Sequence, residues 1–219
     1  MITYKEIKKN HQIKTYIQKA DESLEALGYT EHSFAHVGIV AEVAKYILST
    51  MGYPQRTIEL AQIAGYMHDI GNVINRVDHA QSGAVMAFRI LDKIGVDADE
   101  IATIISAIGN HDESTAVPVN EVAAALILAD KTDVRFTRVR NRDLASFDIH
   151  DRVNYAVKES KTVINEEKTK ISLNLTIDTE VSSVMDYFEI FLERMILCKK
   201  AAEKLNLRFQ LIINGQKVL

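Results

Sequence analysis

Six residues in this chain have side chains and spacing suited to metal chemistry: His36, the doublet His68-Asp69, His79, His111 and Asp130. His36 is followed at i+4, i+7 and i+11 by Val40, Val43 and Ile47, so a helix would turn it inward. Behind His68 at i−3, i−4 and i−7 stand Gly65, Ala64 and Ala61, small residues that admit a close backbone or leave room for something bound. His79 opens a helical pattern, His111 follows one in Gly109-Asn110-His111-Asp112, and Asp130 has Ile127 and Leu126 at i−3 and i−4. A carboxylate turned towards an apolar core is unfavourable unless it is paired or neutralised. A divalent metal cancels that charge and accepts neutral imidazole nitrogens. Each residue alone has a plainer reading. A single histidine on an apolar face is more often a satisfied core residue, Asp130 alone could pair with a lysine or arginine, and His111-Asp112-Glu113 alone is an ordinary polar loop. The set, spread one or two per helix, is what points to a metal. With Cys198 the only cysteine, the ligands would have to be histidine and carboxylate, and a disulfide framework or cysteine-rich zinc fold is excluded.

The elements that must position these groups can be read from periodicity. Residues 33–50 carry Phe34, Val37, Ala41, Ala44, Leu48 and Met51 at helical spacing, ending at Gly52-Tyr53-Pro54. Further helices are expected over 55–69, over 80–94, from a cap at Asp97, and from a cap at Asn120. After about residue 145 the period changes. Val153, Tyr155 and Val157 alternate, as do Ile171, Leu173, Leu175 and Ile177, with Asn165 to Thr169 suited to a hairpin turn. A long helix follows over roughly 180–205, with Val181, Met185, Phe188, Leu192 and Met195 as its apolar stripe, then a final strand through Leu207, Phe209, Leu211 and Ile213. The expected architecture is mainly α: a helical core over 1–145 and a small α+β extension over 146–219, with antiparallel strands and a long helix, packed on that core.

The 219 residues are enough to bury a sizeable core, and 47% hydrophobic with 26% charged residues is an ordinary globular balance. A formal charge of −4 predicts no sequence-independent grip on nucleic acid or on an anionic membrane. Residues 1–10 alternate charged and apolar positions without the apolar run of a signal peptide, and no run of 18 apolar residues appears, so a cytoplasmic protein without a transmembrane helix is expected.

The order of the six residues resembles the HD-domain superfamily of metal-dependent phosphohydrolases. The motifs that carry the resemblance are Ser33-Phe34-Ala35-His36-Val37, Met67-His68-Asp69-Ile70-Gly71 and Leu128-Ala129-Asp130-Lys131, over roughly residues 30–140. A bare His-Asp dipeptide would mean little. The doublet here has a histidine 32 residues before His68 and an aspartate 61 after Asp69. The resemblance implies an all-helical fold, in agreement with the periodicity. It also implies that His36, His68, Asp69 and Asp130 hold one metal, and that His79 and His111 complete a second site bridged by Asp69. That arrangement is similar to the dinuclear members, including diadenosine tetraphosphate hydrolases and cyclic-nucleotide phosphodiesterases. The implied cofactors are one or two divalent ions, with iron, manganese and zinc all compatible. The implied activity is attack of metal-activated water on phosphorus in a nucleotide or other small phosphate ester or anhydride, with Asp69 and His68 at the catalytic centre.

One departure stands out. Many dinuclear members have lysine after the doublet segment, where this chain has Asn72; Arg76, four residues on, is a candidate to supply the charge. The Gly-Tyr-Pro signature of the cyclic di-GMP branch is absent. Lys131, Arg135, Arg138 and Arg142 recur at the spacing of one helical face beginning beside Asp130. Lys131 and Arg135 therefore join Arg76 as substrate-binding candidates, against the plainer reading of a solvated face. Asp112 stands where it could orient His111. His32 is expected at the surface, and His11 and His150 have no assigned role. The apolar stripe of 180–205 and the last strand suit either core or a homodimer surface. Two other functions share the ligand set: a diiron oxygenase of the same superfamily, and a non-catalytic metal-binding regulatory module.

Overall fold

The computed structural model describes residues 1–141 and 143–219. Its centre is a helical bundle: α3 (Phe34–Met51), α4 (Gln55–Met67), α5 (His79–Lys93), α6 (Ala98–Gly109) and α7 (Glu121–Lys131). The capping residues read from sequence are in place. Asp97 accepts from the backbone N–H of Asp99, Asn120 from that of Ala123, and Gly52 ends α3 in the left-handed conformation at φ 81°. α7 is buried on nearly every side, from Val122 to Ala129, and is the helix around which the others pack.

Two helices precede the bundle, which the alternating N-terminal pattern does not suggest: α1 (Tyr4–Lys9) and α2 (His11–Ala26). α1 opens with a capping box between Thr3 and Glu6, and α2 buries Ile13, Ile17, Ala20 and Leu24. α2 packs on the short 3-10 segment Ile70–Val73 that follows the His68-Asp69 doublet.

α3 is long and apolar enough to cross a membrane by length and composition alone, although His36, Glu42 and Lys45 interrupt its apolar residues. In the fold it is a core helix whose Val37, Val40, Ala41, Ala44, Ile47 and Leu48 are buried against α4 and α7.

The C-terminal part differs from expectation in three ways. Val153 and Tyr155 lie not in a strand but in α8 (Ile149–Ala156), which Asp148 caps through the N–H of Asp151; strand β1 (Val157–Ile164) begins only afterwards. Alternation over three positions is too short to separate a strand from one helical turn. Second, the sheet is mixed. β1 and β2 (Lys170–Ile177) form the expected antiparallel hairpin, but β2 pairs in parallel with β3 (Arg208–Ile213), from Lys170↔Arg208 to Leu175↔Ile213. The long helix α9 (Val184–Lys204) makes the crossover that a parallel pair requires. β3 then turns at Asn214-Gly215 into a two-residue strand β4 (Gln216–Lys217). Third, the buried stripe of α9 is Tyr187, Phe191, Met195, Cys198, Ala201 and Ala202, while Met185 and Leu192 are exposed. α9 has two apolar stripes, and the one that faces α7 and β3 is buried.

Candidate metal centre

The donor residues sit at helix ends that meet at one end of the bundle. His36 is in the first turn of α3, His68 caps the C-terminus of α4, His79 begins α5, His111 follows α6, and Asp130 is in the last turn of α7. Two glycines allow this convergence. A Cβ on Gly65 would lie 3.1 Å from the backbone N and Cα of Ala41, so α3 and α4 approach closely and bring His36 beside His68. A Cβ on Gly71 would lie 2.0 Å from the His79 carbonyl oxygen and 2.5 Å from Gly83 N, so only glycine lets α5 start against the doublet. Of the two uses considered for small residues near His68, Gly65 serves close backbone approach.

All four imidazoles are oriented the same way. Nδ1 of His36 is 2.7 Å from Asp133 Oδ2, that of His68 2.8 Å from Gly65 O, that of His79 3.0 Å from Arg76 O and that of His111 2.6 Å from Ile108 O. A carbonyl oxygen only accepts, so Nδ1 carries the hydrogen in the last three, and Nε2 presents its lone pair. The Gly65 and Ile108 carbonyls belong to the last turns of α4 and α6, where oxygens lack intrahelical partners; the following histidines satisfy them.

The Nε2 atoms meet two carboxylates. His36 Nε2 is 3.6 Å from Asp69 Oδ2 and 3.4 Å from Asp130 Oδ1; His68 Nε2 is 3.2 Å and 3.7 Å from the same atoms. On the other side of Asp69, Oδ1 lies 3.6 Å from His79 Nε2 and 3.9 Å from His111 Nε2, and those two nitrogens are 3.2 Å apart. Metal–ligand bonds of about 2.1 Å put neighbouring donors roughly 3.0–3.4 Å apart in tetrahedral or octahedral coordination. The spacing therefore fits donors around an ion better than donors bonded to one another. His36 Nε2, His68 Nε2 and Asp69 Oδ2 are buried with no hydrogen-bond partner among the described residues, which an ion at their focus would satisfy. Two trios, His36 with His68 and Asp130, and His68 with Asp69 and His111, each present donor atoms within 4.8 Å of one another.

The local field also calls for a cation. Burial pulls the His68 imidazole down, but Asp69 and Asp130 at its Nε2 outweigh this and push it up to about 10, so Nε2 takes a proton unless a metal ion stands in that proton's place. Burial raises the Asp69 and Asp130 carboxyls, yet His68 beside the first and Lys131 beside the second keep both well below the usual carboxylate range. His111 and His79 are held low, chiefly by burial, which keeps their Nε2 lone pairs free of protons.

Residues 31–135 match the family model of the HD domain. That segment is an HD domain. HD domains bind divalent metals, and the donor cluster of this one is suited to that. Over 161 residues the chain is 26% identical to the uncharacterized protein MJ1020 of Methanocaldococcus jannaschii, an alignment covering 64% of this chain and 61% of that protein's length. A solved structure of a predicted HD superfamily hydrolase from an uncultured Thermotogales bacterium is 26% identical, with a TM-score of 0.45, covering 57% of this chain and 67% of that one.

A cavity of about 480 Å³ opens from the HD donors. Asp69, His79, His111, Asp130, Arg76 and Lys131 line it, together with His32 and residues of α8 and α9. Of the cationic candidates, Arg135 is not there. α7 ends at Lys131, where Thr132 turns its hydroxyl back to Leu128 O, and the chain continues extended, so positions 131, 135 and 138 share no helical face. Arg135 pairs instead with Asp133 at 2.8 Å and Glu31 at 3.1 Å, behind His36. Arg142 lies outside the described residues. His32 is half-buried rather than at the surface, its ring centroid 5.4 Å from that of His36. His11 and His150 are exposed, although His150 borders the cavity. Asp112 Oδ1 lies 4.0 Å from His79 Nε2, beside the donors rather than behind His111.

Asp133 was not anticipated. It is buried, and its carboxylate holds the imidazole of His36. The available signal was the need of a buried histidine for a partner at Nδ1, together with an aspartate three residues after Asp130; spacing alone does not say which histidine it serves.

Proposed function

We propose that this protein is a metal-dependent phosphohydrolase that cleaves a nucleotide or other small phosphate ester or anhydride at a dinuclear centre. The observation that supports it is the division of Asp69: Oδ2 faces His36 and His68, and Oδ1 faces His79 and His111. His36, His68, Asp130 and Asp69 would hold one ion, and His79, His111 and Asp69 the other. Divalent metal bound there supplies a water of lowered pKa and draws charge from phosphoryl oxygens.

The chain's own residues prepare that site. The Nδ1 hydrogen bonds fix the four imidazoles before any ligand arrives. Asn72 donates from Nδ2 to Asp69 Oδ1 and to Asp69 O, both at 3.0 Å, which fixes the carboxylate between its two groups of donors. Lys131 bonds Asp130 Oδ2 at 2.6 Å, leaving Oδ1 for the histidines. Walls from α8 and α9 limit the cavity to the range of single small-molecule sites, about 300–1,000 Å³. This favours a small phosphorylated partner over nucleic acid or membrane. The exposed stripe of Met185, Leu192 and Ile196 on α9 is where a homodimer contact would form.

The test is metal analysis with a phosphatase screen over nucleotides, dinucleoside polyphosphates and sugar phosphates, with Asp69→Ala as control. Metal-dependent hydrolysis that disappears in the variant is expected. Hydrolysis at full rate in Asp69→Ala would refute the site. A mixed-valent diiron spectrum without phosphatase activity would favour the oxidative alternative.

A further inference from the structure

The cavity is lined by four Lys and Arg side chains, and they are not equivalent. Lys131 is buried and committed to Asp130 at 2.6 Å and Glu113 at 3.2 Å. Arg194 of α9 is neutralised by the same Glu113 at 2.5 Å. Arg138 is buried, bonds the carbonyls of Glu31 and Asp133 at 2.9 and 2.8 Å, and lies 3.8 Å from the Asp133 carboxylate. Arg76 differs: among the described residues, no carboxylate oxygen lies within salt-bridge distance of it, and it is only half-buried. Neutral groups hold it instead. Its Nη1 donates to Asn72 Oδ1 at 3.3 Å and lies 3.3 Å from His79 Nε2, and its guanidinium stands 5.6 Å from the centre of the Tyr29 ring.

We propose that Arg76 anchors the phosphoryl group of the ligand, with Asn72 as the residue that positions it. The inference rests on the phosphohydrolase reading and names the group that binds the anion. The other three cations are already spoken for by carboxylates or carbonyls, so their charge is largely spent within the protein. Arg76 keeps an uncompensated guanidinium beside the His79–His111 half of the donor cluster. Its planar fork matches two oxygens of a phosphate, which a lysine at Asn72's position would meet only as a point charge. Asn72 reaches both sides, donating to Asp69 Oδ1 and accepting from Arg76, so the anion anchor and the shared carboxylate are set by one buried amide.

The experiment measures binding of inorganic phosphate by calorimetry to metal-loaded wild-type protein, Arg76→Ala and Arg76→Lys, with metal content and thermal midpoint recorded for each. Phosphate binding should weaken about ten- to a hundredfold in Arg76→Ala, as expected for loss of charge-assisted hydrogen bonds. It should be partly restored in Arg76→Lys, with metal content unchanged. Equal phosphate affinity in wild type and Arg76→Ala would overturn the proposal, as would absence of phosphate binding by wild type. Loss of metal from Arg76→Ala would also overturn it, by showing that Arg76 serves only to hold His79. The two readings fail separately. Arg76-dependent phosphate binding without hydrolysis of any ester would remove the phosphohydrolase and leave the anchor. Hydrolysis with the same KM in Arg76→Ala would remove the anchor and leave the phosphohydrolase.

Discussion

Replacing Asp133 with asparagine keeps the shape behind His36 and removes the charge. In the native fold the carboxylate lies 2.7 Å from His36 Nδ1 and 2.8 Å from Arg135 Nε, and the Arg138 guanidinium is 3.8 Å away. An amide oxygen still accepts from Nδ1, so the tautomer survives, but the imidazole loses the negative partner that strengthens it as a metal donor. Loss of such a partner weakens metal affinity by about 10–100-fold, or roughly 1.4–2.7 kcal/mol. Stability falls as well. A hydrogen bond to a charged group contributes about 1.5–3 kcal/mol, and because the Arg135 side chain is 21% exposed the lower half of that range applies. For a chain of this size that is a drop in thermal midpoint of roughly 3–9 °C. Competition with a chromophoric chelator measures the affinity and calorimetry of metal-free protein the stability. Metal affinity of Asp133→Asn within twofold of wild type, whatever its thermal midpoint, would refute this role and show that Asp133 braces the two arginines without tuning His36.

Other outcomes follow from the same geometry. Removing His79 or His111 should cost one metal equivalent and leave the other bound; unchanged stoichiometry by elemental analysis would show that the centre is not dinuclear. Gly71→Ala places a methyl group 2.0 Å from the His79 carbonyl oxygen, so the turn must open, and destabilisation of about 3 kcal/mol in denaturant melts, the upper end for overpacking, is expected, with loss of metal from the His79 side. Burial raises the Glu113 carboxyl, but Lys131 and Arg194 outweigh it and hold it at about 2. A depressed carboxylate contributes stability that is complete above its ordinary value of 4.5 and is lost as pH falls towards 2, so Glu113→Gln should flatten that part of the thermal midpoint against pH. Acid unfolding unchanged by the substitution would show that the Glu113 ion pairs carry none of it.

The donor set was legible in the sequence because it depends on local periodicity. His36, Asp130 and the doublet each stand on or beside an apolar helical stripe, and helical phase turns such residues inward whatever the neighbouring helices do. Caps at Asp97 and Asn120, the stop at Gly52 and the hairpin at Asn165 to Thr169 are local in the same way, and the structure has all of them. The errors came where phase was short or degenerate. The alternation of Val153, Tyr155 and Val157 suits a strand as well as the last turns of α8, and α9 has two apolar stripes of which the tertiary fold buries one.

What the sequence could not determine is pairing across the chain. Parallel alignment of β2 and β3 needs the crossover by α9, and strand alternation is the same for either direction. The service of Asp133 to His36 spans 97 residues, and the neutralisation of Arg194 by Glu113 joins α9 to the loop after α6. The basic stripe shows the limit most clearly. Four cations at helical spacing implied one charged face, but α7 stops at Lys131, Arg135 turns behind His36, and Arg76, a single residue outside the stripe, keeps its charge for the cavity. Sequence supplies the charges. Which of them is cancelled depends on carboxylates brought within about 4 Å from elsewhere in the chain, and only the tertiary fold sets those distances.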